Sequence, residues 1–481
     1  LLILVGIGFY CEIQKMHMKG TSKLYGGIAL GVVVLSTIVG ICYFAGHKKA
    51  VSNHEGVFHA QGITTTPNEE TQSGLTAEER KKKDEEQRIK KEEKEREALI
   101  DKAKRLALGY DYEKAMDLIK SYHGEKGGYL SYSKLQNAVE SFEQEKSKLV
   151  LYGGSYRSVT QISHIFFHSL IADDAKAFDG DYREKGYNQY MTTTSEFQKM
   201  MQQMYEKGYV LVSIHDIARQ KKQKDGSTKF VEEKIYLPKG KKPFVLSQDD
   251  VNYYDYMTGD GFASRIVVGK DGKPTCEMVK KDGTTITGAF DIVPILDAFV
   301  EEHPDFSYHG RKGILAITGY DGVLGYRTNN PKSHTYEADK KAVKEVAKAL
   351  KKDGWEFASH SWGHRHSQQM SYKRLARDTK RWKVEVQSLI GSTDIYVFPY
   401  GEDIENTLGI YHSKKYHLLR RYGFQYYCGV YKEPWMHIRN HYVRMTRRPL
   451  DGQAMLSHPK RLKDLFDVSK LIDHNRPKAS W

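Results

Sequence analysis

Residues 243–250 read Pro243-Phe244-Val245-Leu246-Ser247-Gln248-Asp249-Asp250, an apolar run that ends on two adjacent carboxylates. A buried strand that delivers acids at its C-terminal end has this pattern, and α/β barrels place their chemistry there. Further along, Trp355-Glu356-Phe357-Ala358-Ser359 reads as a second short strand feeding His360-Ser361-Trp362-Gly363-His364. A third, Ile395-Tyr396-Val397-Phe398, is stopped by Pro399-Tyr400-Gly401. On a helical turn, imidazoles four positions apart lie on one face and reach a single ion. One Asp completes a His₂-carboxylate site with a position open for water, and the other is free to act as a base.

These motifs resemble the polysaccharide deacetylases of carbohydrate esterase family four, the NodB-homology domain, over residues 155–475. The resemblance implies a distorted (β/α) barrel and metal-dependent removal of acetyl groups from glycans. It implies Asp249 as catalytic base and Asp250, His360 and His364 as ligands of a divalent ion, Zn²⁺ or Co²⁺. The Tyr400 backbone N–H would help to hold the oxyanion. Leu456-Ser457-His458 has the form of the family's last motif and implies His458 as general acid.

The sequence departs from the family at several points. Ser247-Gln248 and Val251 flank the Asp pair, where the family carries Thr-Phe before it and Gly after it. The Arg that tethers the base two positions before the motif Pro is replaced by Val397, leaving Arg439 or Arg444 as substitutes. No Asp-x-x-Asp-Trp motif is evident, although Trp435 could supply an aromatic wall. Asn252, Tyr253, Tyr254 and Tyr256 either line a sugar cleft or pack against neighbouring strands.

Leu24 to Gly46 is almost uniformly apolar and long enough to span a bilayer at ~20 residues. With no small-residue cleavage site after it, residues 24–46 read as an uncleaved membrane anchor and 1–23 as a cytoplasmic segment, its expected start at Met16 or Met18. The expected location is the cell membrane, single-pass, with the catalytic domain extracytoplasmic. Residues 47–75 have a linker composition. Thr76-Ala77-Glu78-Glu79 opens a charged helix with a capping box, and Glu78/Lys82, Glu79/Lys83, Glu86/Lys90 and Glu92/Arg96 are favourable i,i+4 pairs. A helical stalk is expected over 76–150, with Asp111 as an N-cap and a further helix over 132–149.

Within 155–475, strands at 163–168, 209–213 and 313–318 and helices at 197–207, 292–299 and 340–351 alternate as an α/β domain requires. Asp271-Gly272 and Asp282-Gly283 mark the turns of an inserted β-element. Four cysteines exclude a disulfide scaffold and leave Cys276 and Cys428 unpaired. The net charge of +14 is dispersed, which argues against nucleic acid and for anionic wall polymers or a membrane surface. The resulting expectation is a membrane-anchored N-deacetylase acting on an acetylated glycan. The alternatives are a deacetylase-like glycan-binding protein and an O-acetyl esterase.

Overall fold

A computed structural model describes residues 76–153, 158–405, 409–431 and 433–481. The expected anchor at 24–46, its flank 1–23 and the linker 47–75 lie outside the described residues. Among the described residues, no helix is long and apolar enough to cross a membrane. The described residues divide into two units, 76–91 and 92–481.

In the first unit, Thr76 caps the helix Ala77–Leu108, exchanging hydrogen bonds with Glu79 as the capping box predicts. Residues 76–91 are exposed, so this stretch is a solvated charged helix. In the second unit the same helix turns amphipathic and buries Ala103 and Ala107. Glu92 and Arg96 close at 3.0 Å. Asp111 accepts from the Lys114 N–H to cap the helix Tyr112–Lys120, and helix Ser133–Ser147 completes a three-helix layer. The layer packs with the barrel: the Tyr110 hydroxyl donates to the Asp305 carbonyl at 2.8 Å, and the His309 N–H donates to Gly109 at 2.7 Å.

The barrel sheet comprises β1 (Ser163–Phe167), β2 (Tyr209–Leu211), β3 (Lys242–Gln248), β4 (Ile314–Ile317), β5 (Glu356–Ser359), β6 (Ile395–Val397), β7 (Tyr426–Val430), β8 (Met436–Arg439) and β9 (Tyr442–Pro449). Seven of these close in the order β3-β4-β5-β6-β7-β9-β1-β3, all parallel. Strand β2 lies along the first half of β3, whose second half turns to β4 through Ser247 and Gln248. Strand β8 runs antiparallel on β9. The seams are unequal. Strands β7 and β9 share five register pairs, from Tyr426↔Val443 to Val430↔Arg447, whereas β5 and β6 share one, Ser359↔Tyr396.

Because side chains alternate along a strand, each barrel strand serves two cores. Val245, Ala316, Ala358, Val397, Cys428 and Met445 fill the interior. Their neighbours Leu246, Leu315, Phe357, Tyr396 and Tyr427 pack in the core that also holds the surrounding helices. The expected helices run over Thr194–Glu206, Ile292–Glu302 and Tyr336–Lys352. The inserted element is a three-stranded antiparallel sheet (Arg265–Val268, Pro274–Val279, Thr285–Gly288), and both expected turns place glycine at positive φ. Cys276 and Cys428 are buried and free.

At the N-terminal ends of β5 and β6, His215 bridges two acids. Its Nδ1 lies 2.6 Å from Glu356 and its Nε2 3.0 Å from Asp394, while the Ser213 hydroxyl donates to Glu356 at 2.6 Å. Burial lowers the His215 pKa, but the bonds to Asp394 and Glu356 outweigh it and raise the value from 6.5 to about 10. A raised histidine adds stability that is complete below its unfolded pKa and is lost as pH rises through the folded one. Urea unfolding between pH 6.5 and about 10 is therefore expected to show stability falling with pH in the wild type, and less steeply in His215→Gln. Equal slopes would remove the imidazolium from the account.

Candidate active site

The site assembles at the C-terminal mouth of the barrel, and each contributing strand delivers its residue as the next interior step. On β3, Val245 is followed by Ser247 and Asp249; on β5, Ala358 by His360; on β9, Met445 by Arg447. Asp250 turns away from the strand path at φ 58°, in the left-handed region. This swings its carboxylate toward the histidines.

Asp250, His360 and His364 are buried, with one ligand atom of each within 4.8 Å of the others. Asp250 Oδ1 is 3.8 Å from His360 Nε2 and 3.6 Å from His364 Nε2. Three observations fit a cation there. Among the described residues, none donates a hydrogen bond to buried Asp250 Oδ1. His360 Nδ1–H donates to the Val397 carbonyl at 2.9 Å, which leaves the Nε2 lone pair facing the carboxylates. Burial lowers the pKa of His360 to about 4 and of His364 to about 3, so both rings are neutral at neutral pH, the form in which an imidazole can bind a metal.

The two histidines do not sit on a helical turn. His360 follows β5 directly, and the stretch to His364 is irregular, with Ser361 at φ 56° and His364 at φ 45°. The Asp378 carboxylate accepts from the Trp362 and Gly363 N–H groups at 2.8 and 2.9 Å, and the Trp362 carbonyl accepts from Gly319 and Tyr320. The rings converge because the loop is pinned on both sides.

Asp249 is held by a cation that the sequence reading did not select. Arg447, fully buried, grips it through two bonds of 2.6 and 2.9 Å and also donates to Ser247 Oγ at 3.2 Å. Ser247 in turn meets His164 Nε2 at 2.9 Å. Burial raises the Asp249 pKa, but Arg447 and then His360 reverse the effect and hold the carboxyl at about 2, ionised at neutral pH. Arg444 is committed elsewhere, to Asp403 at 2.8 Å, and Arg439 is exposed at the end of β8.

Tyr400 lies at φ 59° beside the triad, its ring 4.5 Å from that of His364 and stacked on His366 at 4.0 Å. His458 is exposed where the helix Gly452–Ser457 ends, and its described contacts are those of the helix end. Among the histidines around the site, His168 couples electrostatically to Asp249, His364 and Asp451, as His360 does to Asp249 and His366 to His364. His168 follows His164 and Phe166 on the interior face of β1. Its neighbour Asp451 is buried, and burial raises its pKa to about 6. Strand alternation was the available signal for the placement of both Arg447 and His168: 443, 445 and 447 share one face, as do 164, 166 and 168.

The polysaccharide deacetylase family model matches residues 325–424, a stretch that includes His360, His364 and Pro399-Tyr400-Gly401. Over that stretch the chain is similar to the polysaccharide deacetylases, the family its motifs resemble. Two solved structures are similar to it. Streptococcus pyogenes deacetylase PplD, in complex with acetate, has 12% identity and a TM-score of 0.33, covering 62% of this chain and 96% of that one. A de-N-acetylase from Aggregatibacter actinomycetemcomitans has 14% identity and a TM-score of 0.37, covering 63% and 99%. No curated protein sequence matches the chain.

Replacing Arg447 with Met leaves Asp249 buried without its counter-charge, which typically costs about 3–5 kcal/mol. Urea unfolding of Arg447→Met is expected to show a loss of that order. A variant as stable as the wild type would mean that Asp249 finds another partner.

Proposed function

We propose that the protein is a metal-dependent hydrolase that removes acetyl groups from N-acetylated cell-surface glycans and releases acetate. The observation that carries this reading is an ionised, Arg447-tethered Asp249 set beside the triad Asp250, His360 and His364. The tether removes one of the two supports of the rival reading of a glycan-binding protein without turnover, the missing motif Arg at Val397; the other is the unassigned general acid.

The ligand set of two imidazoles and a carboxylate suits Zn²⁺, and Co²⁺ is an alternative. Bound there, a divalent ion supplies Lewis acidity to the acetyl carbonyl and to the attacking water. Asp249 takes the proton of that water, with Arg447 fixing the orientation of its carboxylate. The Tyr400 backbone N–H is assigned to the developing oxyanion by the family resemblance. The departing amine needs a proton, and we assign its delivery to His168 at the barrel mouth, with Asp451 as its orienting neighbour. Placement at the membrane surface, with the catalytic domain outside, rests on residues 24–46 alone.

The test is acetate release from N-acetylglucosamine oligomers and peptidoglycan by the Zn²⁺- or Co²⁺-loaded protein. Release is expected from at least one of them, abolished by chelator and reduced about 10²–10⁴-fold in Asp249→Ala. His168→Ala is expected to lose a similar factor on N-acetyl substrates and much less on an aryl acetate, whose leaving group needs no proton. His458→Ala is expected to behave as wild type. Bound metal with no acetate from any acetylated glycan would sink the enzymatic reading.

A further inference from the structure

The fold gathers positive charge that the sequence disperses. Helix Tyr372–Trp382 and helix Lys414–Arg421 are separated in sequence by β6 and the Pro-Tyr-Gly loop, yet they pack side by side. The Arg421 guanidinium donates to the Tyr372 hydroxyl at 2.7 Å, and Trp382 meets Phe424, just past the second helix, at 5.9 Å. Leu375, Trp382, Leu418 and Leu419 turn into the core. The outward face of the first helix exposes Lys373, Arg374, Arg377, Lys380 and Arg381. The second exposes Lys414, His417, Arg420 and Arg421, and a cleft of about 430 Å³ lies between this row and Tyr372.

Together the two helices hold nine basic residues and one acid, Asp378. Asp378 is turned to the Trp362 and Gly363 N–H groups, at 2.8 and 2.9 Å. Of the exposed cations on this face, only Arg381 forms an ion pair among the described residues, with Glu385. An ordinary solvated helix mixes its signs, as helix Tyr336–Lys352 does by setting Glu337, Asp339 and Glu345 among six lysines. Here like charges stand three and four apart, as in Lys373/Arg377, Arg377/Lys380 and Arg377/Arg381. That arrangement is unfavourable to a helix in water and is relieved by a polyanion.

Five of the nine cations are arginines, whose planar forks suit phosphate oxygens. Among the large apolar residues of 372–384 and 414–421, only Tyr372 and Val384 are exposed, too few for insertion into a bilayer. A single exposed ring also gives no stacking platform for nucleic-acid bases. We propose that helices Tyr372–Trp382 and Lys414–Arg421 form a docking surface for a linear phosphodiester polymer with aliphatic repeats, of the polyol-phosphate class. The surface lies beside the barrel mouth. The Arg381 guanidinium stacks on Trp362, between His360 and His364, at 3.4 Å, and Lys415 Nζ donates to the Ser367 carbonyl at 3.1 Å. A polymer held there fixes the mouth beside the matrix that carries it, and docking does not depend on the deacetylase reading.

The test titrates the full chain into fluorescein-labelled poly(ribitol phosphate) and reads anisotropy at low and raised NaCl. Binding is expected, weakening as salt rises. Arg374→Glu/Arg377→Glu is expected to lose affinity at least about tenfold, and the milder pair Lys373→Gln/Lys414→Gln, with one change on each helix, about threefold. Lys344→Glu/Lys348→Glu, on helix Tyr336–Lys352, alters the net charge as much as the first pair and is expected to stay within about twofold of the wild type. Unfolding midpoints are read for every variant; if the arginine pair unfolds, the Gln pair decides. Absence of binding, or equal losses in the arginine pair and the Lys344 pair, would overturn the surface. Phosphatidylcholine vesicles with and without phosphatidylglycerol, and a single-stranded oligonucleotide of matched charge, serve as rival probes. A larger loss by the arginine pair on phosphatidylglycerol vesicles than on the polymer would make the face a membrane contact instead. Tighter binding of the oligonucleotide than of the polymer would make it a nucleic-acid surface.

Discussion

The bond pair between Arg447 and Asp249 is the constraint around which the barrel mouth is built. Both groups are sealed from water, and a guanidinium or carboxylate buried alone would cost several kcal/mol, so neither is tolerated without the other. Their strands, β9 and β3, are not neighbours; β1 lies between them. The pair therefore reaches across β1, which places Phe166 under the guanidinium at 4.2 Å and passes His164 to Ser247. Three strands are locked at one relative height. Asp250, the next residue along, inherits its position from that lock.

Much of this arrangement was legible. The apolar run into Asp249-Asp250, the paired histidines and the Pro-Tyr-Gly stop all fall at strand ends, and the interior parity of β3 and β5 leads straight to Asp249 and His360. The same parity would have selected Arg447 over Arg444, which is one step out of phase and faces Asp403. It would also have placed His168 on the face of His164 and Phe166, whereas the pattern Leu456-Ser457-His458 carries no strand phase to check. Motif spacing works where a local element fixes geometry. It fails where the partner comes from a distant strand.

A different kind of information was out of reach. Asp250, Ser361, His364 and Tyr400 all adopt left-handed backbone conformations, and none is a glycine. Such positions cost about 1–3 kcal/mol each and persist only where the surroundings over-determine them. Here the surroundings are the loops themselves, held by Asp378 under Trp362 and Gly363, and by Trp362 under Gly319 and Tyr320. Local propensity in the sequence is silent on these turns. The reading of His360 and His364 as one face of a helix failed for this reason, although the two rings do meet.

The unequal seams of the barrel have a mechanical consequence. The wall formed by β7 and β9 is knitted by five register pairs and carries Arg447; the join of β5 to β6 has one, directly beneath His360. Backbone that shares few ladder bonds opens at lower free energy than backbone that shares many. The molecule thus has a stiff flank and a compliant one. Arg447, which fixes the bearing of Asp249, is mounted on the first, and His360 follows the strand end at the second.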